Sequence, residues 1–120
     1  MICVMHTVLV VDDHEGFRSF ARTFLAGQGF DVVGEAADAR SAVAETRRLC
    51  PDVVLLDVQL PDGDGFEVAE RLLGQENPPA VVLISTREAA DYGYRIAASG
   101  ARGFILKSQL TGAAVRELMP

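Results

Sequence analysis

Val8-Leu9-Val10-Val11-Asp12-Asp13 is the stretch that decides the fold. Four consecutive aliphatic residues read as a strand buried on both faces, the mark of a parallel sheet. Two carboxylates follow without a gap and so stand at the carboxyl edge of that sheet, where open α/β sheets bind ligands. The pattern returns at Val53-Val54-Leu55-Leu56-Asp57. Three acids gathered at one edge repel one another unless a cation joins them. Mg2+ is the natural partner, because it takes oxygen ligands and binds through one or two carboxylates plus phosphate and water.

Outward from these two strands, helix and strand patterns alternate. Phe17, Phe20, Ala21, Phe24 and Leu25 repeat at helical spacing, and Gly27 and Gly29 stop that helix. Val32 and Val33 mark a short second strand ending near Ala36. Asp38 is placed to cap a helix carrying Ala42, Val43, Thr46 and Leu49 on one side, and Pro51 closes the connection. After the strand at 53–56 comes a run of turn formers at 61–65. Asp64 with Glu67 has capping-box spacing and opens a helix with Phe66, Ala69, Leu72 and Leu73 as its apolar face. Asn77-Pro78-Pro79 is a rigid loop before a fourth strand at 80–84. A weak helix is expected over 87–98, interrupted by Gly93, which costs about 1 kcal/mol against alanine. Gly100 ends it. The fifth strand is 104–106, and the last helix is expected to begin near Ser108 or Gln109 and run to about 119. Five βα units in succession give an α/β fold, a parallel sheet with helices on both faces and right-handed crossovers, in a single domain spanning 1–120.

Composition sets outer limits. The chain has 120 residues, 49% of them hydrophobic, which suits one compact domain with a proper core. Its formal net charge of −6 argues against gripping nucleic acid directly, which needs a basic face, and suits a cytoplasmic protein. Cys3 and Cys50 form no C-x-x-C pair, so zinc and redox chemistry are not indicated, and Cys50 reads as a small buried residue at a helix end. No basic segment precedes an apolar stretch at the N-terminus, and no apolar run reaches the roughly 18 residues of a membrane span.

Four strand ends therefore carry polar groups: Asp12 and Asp13, then Asp57, Ser85 and Lys107. They are far apart in sequence and converge on one edge of a five-stranded parallel sheet. The chemistry such a set supports is phosphoryl transfer to a carboxylate, forming an aspartyl phosphate. Placement and charge neutralisation are most of what that reaction asks of a protein. A metal held by the acids, the Lys107 ammonium and the Ser85 hydroxyl can each take one phosphoryl oxygen. Asp57 stands alone opposite the acid pair and is the best nucleophile. Simpler readings exist. Asp12 and Asp13 can serve as helix N-caps, as can Ser85, for which Thr86 is the substitute. His14 beside the acids is a poor Mg2+ ligand, because that ion prefers oxygen. Tyr92 and Tyr94 flank Gly93 and read as packing or partner surface.

The segments VLVVDDH (8–14), VVLLDVQLPDGDG (53–65), LIS (83–85) and GFILK (103–107) together resemble the receiver domain of two-component response regulators, in order and over nearly the whole chain. The HEGFR run after the acid pair and the Lys107-Ser108 junction are most similar to the subfamily with a helix-turn-helix (LuxR/NarL-type) output domain. The resemblance implies a flavodoxin-like doubly wound five-stranded parallel sheet, (βα)5, with strand order 2-1-3-4-5. It implies Asp57 as phospho-acceptor and Mg2+ held by Asp12, Asp13, Asp57 and the backbone carbonyl of Gln59. It also implies Ser85 as switch hydroxyl, Lys107 as phosphate-binding lysine, and Phe104 as switch aromatic, here without a hydroxyl. Gln59 and Arg87 occupy positions that tune phosphate lifetime, with Arg87 placed to hinder attacking water. The implied partners are a sensor histidine kinase, a second copy on phosphorylation, and DNA only through an output domain outside this chain. The moving part is expected to be the fourth helix with the fifth strand. Relatives often carry a cis proline after the lysine; Ser108 stands there instead, and a trans bond is expected because a cis bond to a non-proline costs about 2.5–4 kcal/mol.

Two other functions share these residues. One is a stand-alone receiver acting by protein–protein contact. The other is a Mg2+-dependent aspartyl-phosphate phosphatase of the haloacid-dehalogenase type. That class places a second aspartate two residues after the first as general acid, and Gln59 stands there instead.

Overall fold

The computed structural model describes residues 5–120. Its elements in order are β1 (His6–Val11), α1 (Glu15–Ala26), β2 (Phe30–Ala36), α2 (Ala39–Leu49), β3 (Val53–Asp57), β4 (Gln59–Leu60), β5 (Gly63–Asp64), α3 (Gly65–Leu73), β6 (Ala80–Ser85), α4 (Arg95–Ala98), β7 (Gly103–Leu106) and α5 (Gly112–Glu117). Five strands form one parallel sheet in the order β2-β1-β3-β6-β7, while β4 and β5 pair as a separate antiparallel ribbon. With the ribbon set aside this is the expected 2-1-3-4-5 order of a flavodoxin-like doubly wound sheet.

The central strands have no exposed face: Val8 to Val11, Val53 to Leu56 and Val81 to Ile84 are all fully buried. Successive side chains point to opposite faces, so each strand feeds two cores. Val8, Val10, Leu55, Val82 and Ile84 pack on one face with Ala21 and Leu25 of α1 and Val115 of α5. Leu9, Val11, Leu56 and Leu83 pack on the other with Ala42 of α2 and Phe66, Ala69 and Leu72 of α3. Each fully buried aliphatic side chain contributes about 1.5–3 kcal/mol, which explains why these runs dominate the fold.

The strand runs end one residue later than the aliphatic pattern alone suggests. Asp57 closes β3, in register with Ile84, and Ser85 closes β6, in register with Leu106. Both polar residues are thus held by the sheet's own ladder. Asp38 caps α2 by accepting from the Ser41 amide at 2.8 Å. Asp64 caps α3, but on the Phe66 amide at 2.7 Å rather than on that of Glu67, where the capping box would put it.

Five expectations need correction. The region 87–98 is not one interrupted helix. It is a 3-10 turn at Ala89–Asp91 and the four-residue α4, separated by Gly93 at φ +59°. The last helix does not start near Ser108. A 3-10 turn covers Lys107–Gln109, Leu110 is buried in extended conformation, and Thr111 caps α5 through the Ala114 amide at 3.0 Å. That helix ends at Glu117 rather than near 119. Cys50 is exposed, not buried, because it is the C-cap of α2 and takes the left-handed conformation at φ 47°. Cys3 lies outside the described residues. Phe20, drawn into the stripe of α1 by its spacing, stays 50% exposed at the stripe's edge. No peptide bond among the described residues is cis, in line with the trans bond expected at Lys107-Ser108.

Candidate functional site

Asp12, Asp57 and Ser85 are buried where β1, β3 and β6 reach the same edge of the sheet, and Lys107 follows β7 directly. The Lys107 ammonium lies 2.5 Å from Asp12 Oδ2 and 3.2 Å from Asp57 Oδ2, so one cation spans two strand ends. It also sits 4.9 Å from the centre of the Phe17 ring. Asp57 Oδ1 accepts from the Gln59 amide at 3.1 Å. Asp12 Oδ1 accepts from the His14 amide at 2.9 Å. Asp13 is exposed, and the His14 imidazole Nδ1 stands 3.1 Å from a carboxylate oxygen of each acid of the pair.

Burial pushes the Asp57 carboxyl above the usual carboxylate range. The Asp12 charge adds to that push, while the Gln59 amide and the Lys107 ammonium oppose it. For Lys107 burial acts to lower the value, but the Asp12 and Asp57 carboxylates outweigh it and hold the amine above its ordinary range. The lysine is therefore a fixed cation over the whole neutral range.

The donor set fits a hard divalent cation. One ligand atom from each of Asp12, Asp13, His14 and Asp57 lies within 4.8 Å of the others. Asp12 Oδ2 is a fully buried carboxylate oxygen without a hydrogen bond; its close contact with Lys107 is an ion pair out of line for one. The Lys107 ammonium balances the charge of that oxygen, which keeps lone pairs free to ligate a metal ion. Three carboxylates supply the oxygens that Mg2+ prefers, whereas the His14 nitrogen suits softer ions. Gln59, the fourth expected ligand, follows on the ribbon and is exposed.

The remaining predicted residues are placed as follows. The Ser85 hydroxyl accepts from the Arg87 amide at 3.0 Å and lies 2.7 Å from the Tyr92 hydroxyl. It makes no hydrogen bond to Asp57. Arg87 is exposed. Phe104 is partly buried, its ring 5.9 Å from that of Tyr92. Two residues were missed. Arg18 holds the Asp12 backbone carbonyl at 2.7 Å while its Nε donates to Glu35 at 3.1 Å, so it ties the acid pair to β2. A sequence signal existed, since Arg18 is a charged residue next to the buried stripe of α1. Tyr92 had none: it lies seven positions after Ser85, across a segment with no period.

The whole constellation lies inside a match, over residues 8–117, to the family described as the response regulator receiver domain. The chain belongs to that family. Among solved structures, the receiver is similar to the signal receiver domain of a NarL response regulator from Mycobacterium tuberculosis. The TM-score is 0.84 at 33% identity, over 97% of this chain and 98% of that one. Among curated proteins, it is 32% identical to the transcription regulator BvgA of Bordetella pertussis, over 85% of this chain and 49% of BvgA. It is also 41% identical to protein-glutamate methylesterase/protein-glutamine glutaminase 6 of Anaeromyxobacter dehalogenans, over 92% of this chain and 32% of that protein. The receiver thus spans about half or less of the length of these curated relatives. No helix among the described residues is long and apolar enough to cross a membrane.

Proposed function

We propose that this receiver accepts a phosphoryl group on Asp57 from a sensor histidine kinase and uses the added charge to switch an output. The observation that carries this reading is the Lys107 ammonium held between Asp57 Oδ2 and the buried, otherwise unpartnered Asp12 Oδ2. With acetyl phosphate as donor, an Asp57 oxygen forms the new P–O bond as the bond from phosphorus to the acetyl oxygen breaks. Acetate leaves with the bonding electron pair, and no proton has to move. Mg2+, held by Asp12, Asp13, Asp57 and the Gln59 carbonyl, would supply positive charge beside the phosphoryl oxygens. Lys107 neutralises one of those oxygens as a point charge, and Ser85 donates to another. Phe104, whose ring stands 5.9 Å from that of Tyr92, would be the switch aromatic. Gln59 and Arg87, each two residues beyond a site residue (Asp57 and Ser85), would set the lifetime of the adduct, with Arg87 hindering attacking water. The receiver catalyses only its own phosphorylation and dephosphorylation.

The output reading is transcriptional control through a DNA-binding domain beyond residues 1–120, in the cytoplasm, with pairing of two receivers on phosphorylation. Support comes from the likeness to BvgA and to the NarL receiver at 33% identity. The methylesterase relative shows that similar receivers occur with other outputs, so the output domain has to be identified separately.

Intact-mass spectrometry after incubation with Mg2+ and acetyl phosphate tests the proposal. Wild type is expected to gain one phosphoryl group, and Asp57→Ala none. A gain that survives Asp57→Ala, or no gain in wild type, ends this reading. Following the adduct over time in Arg87→Ala reads the lifetime role, with faster loss expected.

A further inference from the structure

Ser85 is 3% exposed, and its hydroxyl has two polar neighbours. One is the Arg87 amide, which only donates. The serine proton therefore needs an acceptor, and the Tyr92 oxygen at 2.7 Å is the one within reach among the described residues. The opposite polarity, with Tyr92 donating, would leave a buried serine proton unpaired at a cost of about 1–3 kcal/mol. Tyr92 is only partly buried. Ser85 donating to Tyr92 is the polarity that leaves no buried serine proton unpaired, and in it that proton is not shared with Asp57.

Resting on the phospho-acceptor reading, we infer that Tyr92 is a positioning residue that competes with the phosphoryl group for the Ser85 proton. Phosphorylation of Asp57 then releases Tyr92. A phosphoryl oxygen is an anionic acceptor, and charge-assisted hydrogen bonds are roughly twice as strong as neutral ones. The serine proton turns to it, and the tyrosine oxygen loses its donor.

The surroundings of Tyr92 connect this small rotation to the surface. Its ring stands between Phe66, at 5.5 Å, and Phe104, at 5.9 Å. Phe66 in turn lies under the Arg95 guanidinium, 4.4 Å from the ring centre, and Arg95 is ion-paired with Asp64 at the start of α3. Gly93, the next residue, sits at φ +59°, with nothing within 4 Å of where a Cβ would stand. Tyr92 thereby supplies the hydroxyl that Phe104 lacks, from a different element.

The test uses beryllofluoride with Mg2+ as the phosphoryl probe. Calorimetry reads its affinity, and tyrosine emission reads Tyr92. The chain has two tyrosines and no tryptophan, so Tyr94→Phe, at a residue 83% exposed, leaves Tyr92 as its one tyrosine. Tyr92→Phe is expected to bind the probe about fivefold more tightly, because the resting state alone loses a hydrogen bond. In a Ser85→Ala background the same change is expected to have no effect. In Tyr94→Phe, the emission of Tyr92 is expected to change as the probe saturates. Unchanged or weaker affinity in Tyr92→Phe, or equal gains with and without Ser85, overturns the inference, as does static emission from a saturated site. Failure of wild type to bind the probe at all, with no phosphoryl adduct by mass, instead removes the reading on which it rests.

Discussion

Asp57 is a carboxylate that the fold makes uncomfortable. It is buried at the end of β3, beside a second acid, and its pKa is raised for those reasons in that order. For an acid with a raised folded-state value, the folded protein holds the proton better than the unfolded chain does. Its contribution to stability is therefore full below the unfolded value of about 3.9 and is lost as pH rises through the folded value. At neutral pH the ionised side chain is a net cost, reduced but not removed by Lys107. Asp57→Asn keeps the shape and deletes that cost. Without divalent metal, the variant is expected to melt a few degrees above wild type at pH 7, with the gap closing as pH falls toward 4. Thermal melts followed by circular dichroism read this directly. A variant no more stable than wild type at pH 7 would mean that Lys107 already compensates the site in full.

At the scale of elements, the close approach of α3 to the back of β3 fixes where Asp57 can be. A side-chain carbon on Gly65 would lie 2.4 Å from the Asp57 carbonyl oxygen and 2.6 Å from Val58 Cα, both backbone atoms of the strand end. Gly65→Ala is expected to cost about 1–3 kcal/mol in urea unfolding and to slow phosphorylation by acetyl phosphate, because α3 must back away from the nucleophile. A wild-type rate would show that the strand end does not follow the helix. Gly65 was visible in the sequence only as a turn former, since a close approach leaves no local pattern. The five sheet strands were legible because double-sided burial demands unbroken aliphatic runs. For the same reason Asp12, Asp57, Ser85 and Lys107 could be placed at one edge before any coordinates. The ribbon was not legible, because two residues per strand have no period. At residues 87–98 the interruption at Gly93 was legible, but not that the left-handed turn there would leave only a 3-10 turn and the four-residue α4. The start of α5 misled because the buried Leu110 and the Thr111 cap come after a short turn that itself resembles helix.

Over the whole molecule, two cores held by a common sheet make the functional edge affordable. Val8 to Val11 and Val53 to Leu56 anchor Asp12 and Asp57 from both faces, so the acids stay together despite their repulsion and a net charge of −6. Such a site is expected to return stability when a divalent cation binds. A ligand that binds only the folded state adds RT ln(1 + [L]/Kd), about 2.7 kcal/mol at a hundredfold excess over Kd. Mg2+ is therefore expected to raise the melting temperature of wild type by several degrees, with a saturating dependence on concentration. Ionic strength alone screens exposed charges and leaves a buried cluster nearly untouched. NaCl at matched ionic strength is thus expected to give a smaller rise without saturation. Asp13→Asn, at an exposed position that removes one ligand with little effect on packing, should shift the Mg2+ curve to higher concentration. If wild type and Asp13→Asn respond alike, and both follow the NaCl curve, the acid pair is a charged helix start and not a metal site.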